Sequence, residues 1–393
     1  MSDLFADRIQ DVPRSFIREI LKVTMDRSMI SFAGGLPNRE FFPIRELQEA
    51  TNRVFDENGT DCLQYSNSEG LFELREFIAK RYKSEQNIEV DPEQILITNG
   101  SQQALDLIAK VTINEGDPVI IEEPGYLGAI QALSLYRPRY IPVGVHDEGM
   151  DIETLRTGVT SKPKMMYTVP NFQNPSGISY THENRTRIAE IISGSGCLLI
   201  EDDPYGALRF KGEQVDSFYH LIGDQTILLG SFSKVVVPGF RLGWVVAPKR
   251  IFEKLIIAKQ AADLHTCNFT QYVILNFLKN TAIDQHIQTI VGAYGSQCQA
   301  MIDCIENMFP DDVTCTRPAG GMFLWATLPD SMSAMELFDL AVERKVAFVP
   351  GEPFYTRQVR SSAFRLNFSC VDKKVIEEGI GRLAEAISVM RSR

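Results

Sequence analysis

Six short apolar runs recur between residues 94 and 247: Gln94-Ile-Leu-Ile-Thr98, Asp117-Pro-Val-Ile-Ile-Glu122, Lys164-Met-Met-Tyr-Thr168, Cys197-Leu-Leu-Ile-Glu201, Thr226-Ile-Leu-Leu-Gly230 and Leu242-Gly-Trp-Val-Val-Ala247. Amphipathic stretches separate them. Runs this short are strand-length, and apolar on successive residues they read as strands buried on both faces. The alternation is that of an α/β fold, a largely parallel sheet covered by helices. The last two runs are joined by too few residues for a helical crossover, so one strand there is expected to run antiparallel. After about residue 285 the texture changes to longer helices such as Ser333 to Lys345 and to strands Gly321-Met-Phe-Leu-Trp-Ala326 and Phe364-Arg-Leu-Asn-Phe368. We read 48–285 as a large domain, 286–393 as a smaller α+β domain, and 1–47, with a helix around Phe16 to Val23, as a segment that packs on the smaller one.

In an open α/β sheet, ligands bind beyond the carboxyl ends of the strands, so the residues that follow each run are where chemistry is sought. After Gly230 comes Ser231-Phe-Ser-Lys-Val-Val-Val-Pro-Gly-Phe-Arg-Leu-Gly243. Pro238 and Gly239 force a turn, which leaves Lys234 at a strand junction rather than on a helix face. A solvated surface lysine is the ordinary alternative. An amine held near apolar neighbours and other cations, however, loses part of its charge and can attack an aldehyde. Ser231, Ser233 and Arg241 add two hydroxyls and a planar cation, which together make a phosphate-binding inventory. Pyridoxal 5'-phosphate carries both an aldehyde and a phosphate.

The other strand ends supply matching groups. Thr98-Asn-Gly-Ser-Gln-Gln-Ala104 opens a helix, where Gly100 and the free amides suit a phosphate and Ser101 could alternatively act as a simple cap. In Val169-Pro-Asn-Phe-Gln-Asn-Pro-Ser-Gly177, Asn174 precedes a proline and so is held extended, with its amide on offer to a ring hydroxyl. Glu201-Asp-Asp-Pro-Tyr-Gly206 places Asp202 where a carboxylate would keep a pyridine nitrogen protonated, with Tyr205 three residues on. Tyr126, after Glu122-Glu-Pro-Gly, is an aromatic able to stack on a ring, and Arg365 is a strand arginine able to fork onto a carboxylate.

Composition narrows the class. The net charge of -11 opposes a general nucleic-acid or anionic-membrane surface, so any anion is held by a few placed cations. No stretch approaches the roughly eighteen apolar residues of a membrane span, and the start of the chain lacks a basic segment followed by an apolar core. Seven cysteines occur singly, without a Cys-x-x-Cys pair, as in a reducing compartment. We expect a cytoplasmic protein with no metal, no nucleic-acid partner and no membrane partner.

Taken in order, these motifs resemble the pyridoxal-phosphate aminotransferases of fold type I, and within class I the aminoadipate/kynurenine aminotransferase-like branch. The resemblance runs from Ser31-Phe-Ala-Gly-Gly-Leu-Pro-Asn38 through Gln64-Tyr-Ser, Gly100-Ser-Gln-Gln-Ala104, Asn174-Pro-Ser-Gly177, Glu201-Asp-Asp-Pro-Tyr205, Ser231-Phe-Ser-Lys234 and Arg241 to Phe364-Arg365. It implies a mainly parallel sheet of the seven-stranded type with helices on both faces. It also implies that Lys234 bonds the cofactor aldehyde, that Asp202 pairs with the ring nitrogen, and that Tyr205 and Asn174 bond the ring hydroxyl. Ser101, Gln102, Ser231, Ser233 and Arg241 would hold the phosphate, and Tyr126 would stack on the ring. Asn174 and Arg365 would take the substrate carboxylate, Gly35 would border the pocket, and Arg18 would help read the substrate side chain. Members are homodimers with shared sites, so Tyr65 is expected to reach the phosphate of the neighbouring subunit. The serine of Asn174-Pro-Ser-Gly177 replaces a common threonine and threatens none of these roles.

The implied reaction is transamination between an L-amino acid (aromatic, aminoadipate-like, branched or acidic) and a 2-oxo acid such as 2-oxoglutarate, in a ping-pong pattern. A lyase, decarboxylase or synthase on the same fold is the alternative, because fold does not fix reaction. A regulator fused to a DNA-reading domain is disfavoured, since no winged-helix segment precedes the motifs. A nicotinamide dehydrogenase is disfavoured because Gly194-Ser-Gly196 falls before a strand rather than after one.

Overall fold

The structure is a computed structural model that describes residues 4–10, 12, 20, 26 and 28–392. Its strands are β1 (Ile30–Ser31), β2 (Ile95–Thr98), β3 (Pro118–Glu123), β4 (Arg139–His146), β5 (Gly149–Met150), β6 (Met165–Thr168), β7 (Leu198–Asp202), β8 (Thr226–Ser231), β9 (Gly243–Val246), β10 (Thr314–Cys315), β11 (Phe323–Thr327), β12 (Val346–Ala347), β13 (Val349–Pro350) and β14 (Ala363–Asn367). Eight of them form the central sheet in the order β2-β9-β8-β7-β6-β3-β4-β5. Strands β4, β3, β6, β7 and β8 pair in parallel. β9 runs antiparallel to both neighbours, as its short connection to β8 requires. The expected seven strands are thus extended by β5, a two-residue edge piece turned back onto β4.

The period of two along each strand sends alternate residues to opposite cores. Val119, Ile121, Met165, Tyr167, Ile200, Ile227, Leu229 and Val245 pack with helices Ser101–Thr112, Leu127–Ser134 and Lys249–Ala262. Ile120, Met166 and Leu199 face the other way, against helices Ile152–Val159 and His182–Ile192. Ile95, Ile97, Leu228 and Val246 face that second side too, against helices Ile44–Asn58, Phe72–Gln86 and Asn268–Asn280. This two-sided burial is why the runs are continuously apolar, each buried Ile, Leu or Val contributing about 1.5–3 kcal/mol.

The chain after the 26-residue helix Ile283–Met308 builds a four-stranded antiparallel sheet, β10-β11-β14-β13, with helices Ala334–Glu343 and Lys373–Arg391. The segment that begins at Ile30 joins this part. β1 pairs in parallel with β12, and the amide of Asn367 donates to the Phe32 carbonyl at 2.8 Å. Residues 33–36 are thereby drawn across to the carboxyl edge of the central sheet. The helix expected around Phe16 to Val23 falls largely outside the described residues, as does Arg18.

Candidate active site

Strand register gathers the anion-binding groups. Gly243, the first residue of β9, is opposite Thr98 on one side and Ser231 on the other, so the ends of β2 and β8 are brought to one point. A Cβ at Gly243 would lie 2.9 Å from the Gly100 Cα, which is why a glycine stands there. Gly100 takes φ +74 as the N-cap of helix Ser101–Thr112, and the first intrahelical bond runs from the Gln103 amide to the Gly100 carbonyl at 3.2 Å. The Ser101 and Gln102 amides precede that bond and so remain for a ligand. No side chain caps this helix, which removes the capping alternative for Ser101. Arg241, in the left-handed region at φ 55, lies over the same loop: a Cβ on Gly100 would sit 2.7 Å from its Nη2. Ser231 and Ser233 are buried beside it, the Ser233 amide donating to Ser231 Oγ at 3.1 Å. Helix amides, two hydroxyls and a guanidinium converge as a phosphate requires.

Lys234 follows directly. Its Nζ donates to the Gly35 carbonyl at 2.8 Å, which ties the amine to the segment after β1. Burial, with Arg365 and Arg241 adding repulsion, lowers its pKa to about 8 against the opposing influence of Cys370. A large share of this amine is therefore neutral and nucleophilic at mildly alkaline pH. Gly35 borders the space: an added Cβ would lie 3.3 Å from the Phe323 ring.

Asp202 ends β7 at 1 % exposure. Its Oδ2 accepts from the Tyr167 hydroxyl at 2.7 Å, while Oδ1 is buried and has no partner among the described residues. Burial raises its pKa to about 7, against the Tyr167 bond, with Asp203 and Glu122 adding to the rise. A buried carboxylate with one empty oxygen calls for a cationic donor, and a protonated pyridine nitrogen is one. Tyr205 stands nearby, its hydroxyl accepting from Asn174 Nδ2 at 3.4 Å. The partly buried Tyr126 and the Gln102 side chain converge over Gly128, where a Cβ would be 2.6 Å from the Tyr126 hydroxyl oxygen and 2.7 Å from Gln102 Oε1. Gln102 Nε2 donates to the Gly128 carbonyl at 2.8 Å, so this side chain is a strut between two loops as well as a neighbour of the anion cradle.

Arg365 lies mid-strand in β14, opposite Trp325 and Val349. Its guanidinium is held between Phe323 at 4.3 Å and Phe354 at 5.3 Å. Nη1 donates to Asn174 Oδ1 and Nη2 to the Ala33 carbonyl, both at 2.7 Å, and Nε is buried without a partner. Both partners are neutral, so among the described residues no carboxylate pairs with this charge. Burial lowers its pKa to about 10, which still leaves it charged at neutral pH. Such a cation favours an incoming carboxylate.

The cleft also contains residues the sequence reading did not single out. Glu122 is buried and accepts from Thr168 Oγ1 at 2.7 Å, the Val169 amide at 2.9 Å, the Tyr180 hydroxyl at 2.7 Å and Gln173 Nε2 at 3.0 Å. One carboxylate thus pins both ends of the loop that carries Asn174. The side chain of Lys259 is fully buried on Asp263 at 2.7 Å, and Asp263 Oδ2 accepts from Gln103 Nε2 at 2.7 Å and from Asn99 Nδ2 at 2.5 Å, a clasp beneath the Gly100 loop. A glutamate at a strand end and a lysine four residues before an aspartate were readable as polar; the groups that Glu122 and Asp263 bind beyond that pair are distant in sequence. Tyr65 stands apart from the cleft of its own chain: it is 79 % exposed, its ring edge-on to His265 at 5.9 Å.

Known proteins bear on this arrangement. Residues 29–383 match the family Aminotransferase class I and II. The chain is 39% identical over 390 residues to Aromatic-amino-acid aminotransferase 1 of Thermococcus litoralis, covering 98% of this chain and 94% of that protein. It is 40% identical over 391 residues to the 2-aminoadipate transaminase of Thermus thermophilus, covering 98% and 97%. Among solved structures, a kynurenine aminotransferase of Pyrococcus horikoshii in complex with PMP superposes with a TM-score of 0.94 at 38% identity, covering 99% of this chain and 98% of that one. An alpha-aminoadipate aminotransferase of Thermus thermophilus, complexed with N-(5'-phosphopyridoxyl)-L-leucine, gives 0.93 at 39% identity over 100% and 99%. With an anion cradle, a neutralisable lysine, a carboxylate with one empty oxygen and a buried arginine around one cleft, this chain belongs to the class I and II aminotransferases, a pyridoxal-phosphate-dependent enzyme of fold type I.

Proposed function

We propose that the enzyme moves the amino group of an L-amino acid with an aromatic, aminoadipate-like, branched or acidic side chain to a 2-oxo acid, 2-oxoglutarate, in a ping-pong sequence. The names of the relatives, which span aromatic amino acids, 2-aminoadipate and kynurenine, support the aromatic and aminoadipate-like part of that range. The observation that carries the reading is the Asn174 bridge. Its Oδ1 accepts from Arg365 while its Nδ2 donates to Tyr205, so the carboxylate site and the hydroxyl site share one side chain.

Pyridoxal phosphate, when bound, supplies an aldehyde that links to amines and a protonated ring that accepts the electron pair left at the substrate Cα. The side chains have separate tasks. Ser101, Gln102, Ser231, Ser233 and Arg241 hold the phosphate, Tyr126 covers the ring, Asn174 and Tyr205 hold its hydroxyl, and Asp202 keeps its nitrogen protonated. Arg365 and Asn174 orient the substrate carboxylate, beside Gly35. Lys234 would bond the aldehyde, and as a free amine it would take a proton from the substrate Cα, a task its lowered pKa suits. Arg18 lies outside the described residues and keeps only its role as a candidate reader of the substrate side chain.

The functional unit on this reading is a homodimer. Tyr65 at 79 %, Leu63 at 69 % and Phe55 at 50 % exposure are large apolar side chains that a second copy would cover, and Tyr65 would then reach the partner's phosphate. Sedimentation is expected to give twice the chain mass, and a monomer with full activity would refute the shared site. Residues 48–285 serve as the cofactor-binding part and 286–393 as the smaller part, with 1–47 attached to the latter through pairing such as β1 with β12. All the cysteines of the chain are free, in keeping with the cytoplasm.

A half-reaction tests the chemistry. Donor amino acid alone is expected to yield one equivalent of 2-oxo acid per site and then stop, with 2-oxoglutarate restarting turnover. Continuous release of ammonia or carbon dioxide from the donor alone would identify a lyase or decarboxylase instead.

A further inference from the structure

The buried face of the site holds a group that none of these roles uses. Tyr167 lies on β6, opposite Ile200 of β7, and Asp202 is two residues further along β7 on the same face. The phenol therefore reaches the carboxylate diagonally across the strand pair, at 2.7 Å from Oδ2. Neither side chain is in contact with solvent, Tyr167 being 0 % and Asp202 1 % exposed. The arrangement divides the carboxylate, with Oδ2 committed to the core and Oδ1 left without a partner among the described residues.

We propose that Tyr167 is a positioning residue for the reaction: by donating to Oδ2 it fixes the Asp202 carboxylate with Oδ1 toward the ring nitrogen of the cofactor, and it biases the proton shared between that oxygen and the nitrogen onto the nitrogen. The inference rests on the assignment of Asp202 to the ring nitrogen. Its chemistry is that of a three-member chain. An O–H donor to one oxygen spreads the negative charge and lowers the proton affinity of the other, so the proton stays on the pyridine and the ring stays electron-poor. The neighbours make this help necessary. Burial, Asp203 and Glu122 all disfavour the ionised form of Asp202, whereas the Tyr167 bond favours it. Tyr167 itself remains a donor: burial and the Asp202 charge push its own ionisation well above the usual phenol range. Phenylalanine would fill the same volume in the core, so packing alone does not require the hydroxyl.

The test uses holoenzyme reconstituted with pyridoxal phosphate labelled with 15N in the ring. In wild type the ring-nitrogen signal is expected at the protonated position. In Y167F it is expected to move toward the unprotonated position, cofactor affinity to fall about 10- to 100-fold, and kcat to fall while the donor KM stays nearly constant. A signal and a cofactor affinity identical to wild type would overturn the proposal and leave Tyr167 a core residue. Should Y167F fail to fold, 3-fluorotyrosine incorporated at position 167, whose more acidic hydroxyl donates more strongly, keeps the test open. The nitrogen being protonated in wild type already, cofactor affinity is the readout: it is expected to rise above the wild-type value, and an affinity unchanged from wild type again overturns the proposal. D202N separates the two levels: a ring nitrogen still protonated in that variant refutes the role of Asp202, whereas its loss in D202N without any change in Y167F refutes Tyr167 alone.

Discussion

Replacing Lys234 with alanine is expected to lower turnover by about 10⁴-fold, the full contribution of a positioned general base, before any loss of the covalent link is counted. The cofactor should still bind. On the proposed assignment its phosphate would be held by the Gly100 loop, Ser231, Ser233 and Arg241, none of which depends on the lysine, and Arg365 keeps its own bonds to Asn174 and Ala33. The small-molecule counterpart is also informative: adding a primary amine should restore part of the rate, because the variant leaves a cavity where the amine stood. The wild-type pH dependence follows from the same group. A base whose folded pKa lies at about 8 rather than 10.5 is charged below about 8 and neutral above it, so capture of pyridoxal phosphate by apoenzyme should quicken as pH rises through about 8. Quickening only above pH 10 would show an unperturbed surface lysine. Rapid-mixing absorbance on apoenzyme, and steady-state kinetics on K234A, check both.

The second large effect is expected at Asp202. D202N should lower kcat about 10²- to 10³-fold, the usual cost of removing one placed electrostatic partner. Its effect on the empty protein runs the other way. An acid whose folded pKa lies above its unfolded value costs nothing at pH below the unfolded value; the cost grows from pH 3.8 toward about 7 and persists above it. At pH 8 the apoenzyme therefore carries up to about 4 kcal/mol of unfavourable charge burial at this position, which the amide removes while Tyr167 keeps an oxygen to donate to. Urea unfolding at pH 8 should show apo D202N more stable than apo wild type, while pyridoxal phosphate stabilises the variant less. A variant less stable than wild type without cofactor would mean that Asp202 is satisfied by the protein alone.

Much of this site was legible because strand ends are where an open sheet presents its chemistry. The runs at 94–98, 164–168, 197–201 and 226–230 are the strands β2, β6, β7 and β8 almost to the residue, and Gly100, Asn174, Asp202 and Lys234 follow them. Strand β4 was not legible from an apolar run, because Arg139–His146 is buried at only two of its positions and contains a proline and two charged or titratable ends. Tyr167 was read as one more apolar residue of a strand, since its bond to Asp202 depends on a register between β6 and β7 that sequence does not display. The same holds for Arg365. Its residue type and strand were readable, whereas the Phe323 and Phe354 rings on either side and the Ala33 carbonyl come from remote segments that meet only in the folded chain. Tyr65 shows the converse: among the described residues its ring meets His265 edge-on and is otherwise largely exposed, and the role proposed for it comes from the resemblance rather than from the fold.

Lys234 is proposed to be the one amine that bonds the cofactor. Holoenzyme reduced with borohydride, digested and mapped by mass spectrometry is expected to carry a single phosphopyridoxyl group on the peptide that contains Ser231-Phe-Ser-Lys234. A phosphopyridoxyl group on any other lysine, or none after reconstitution, would contradict it.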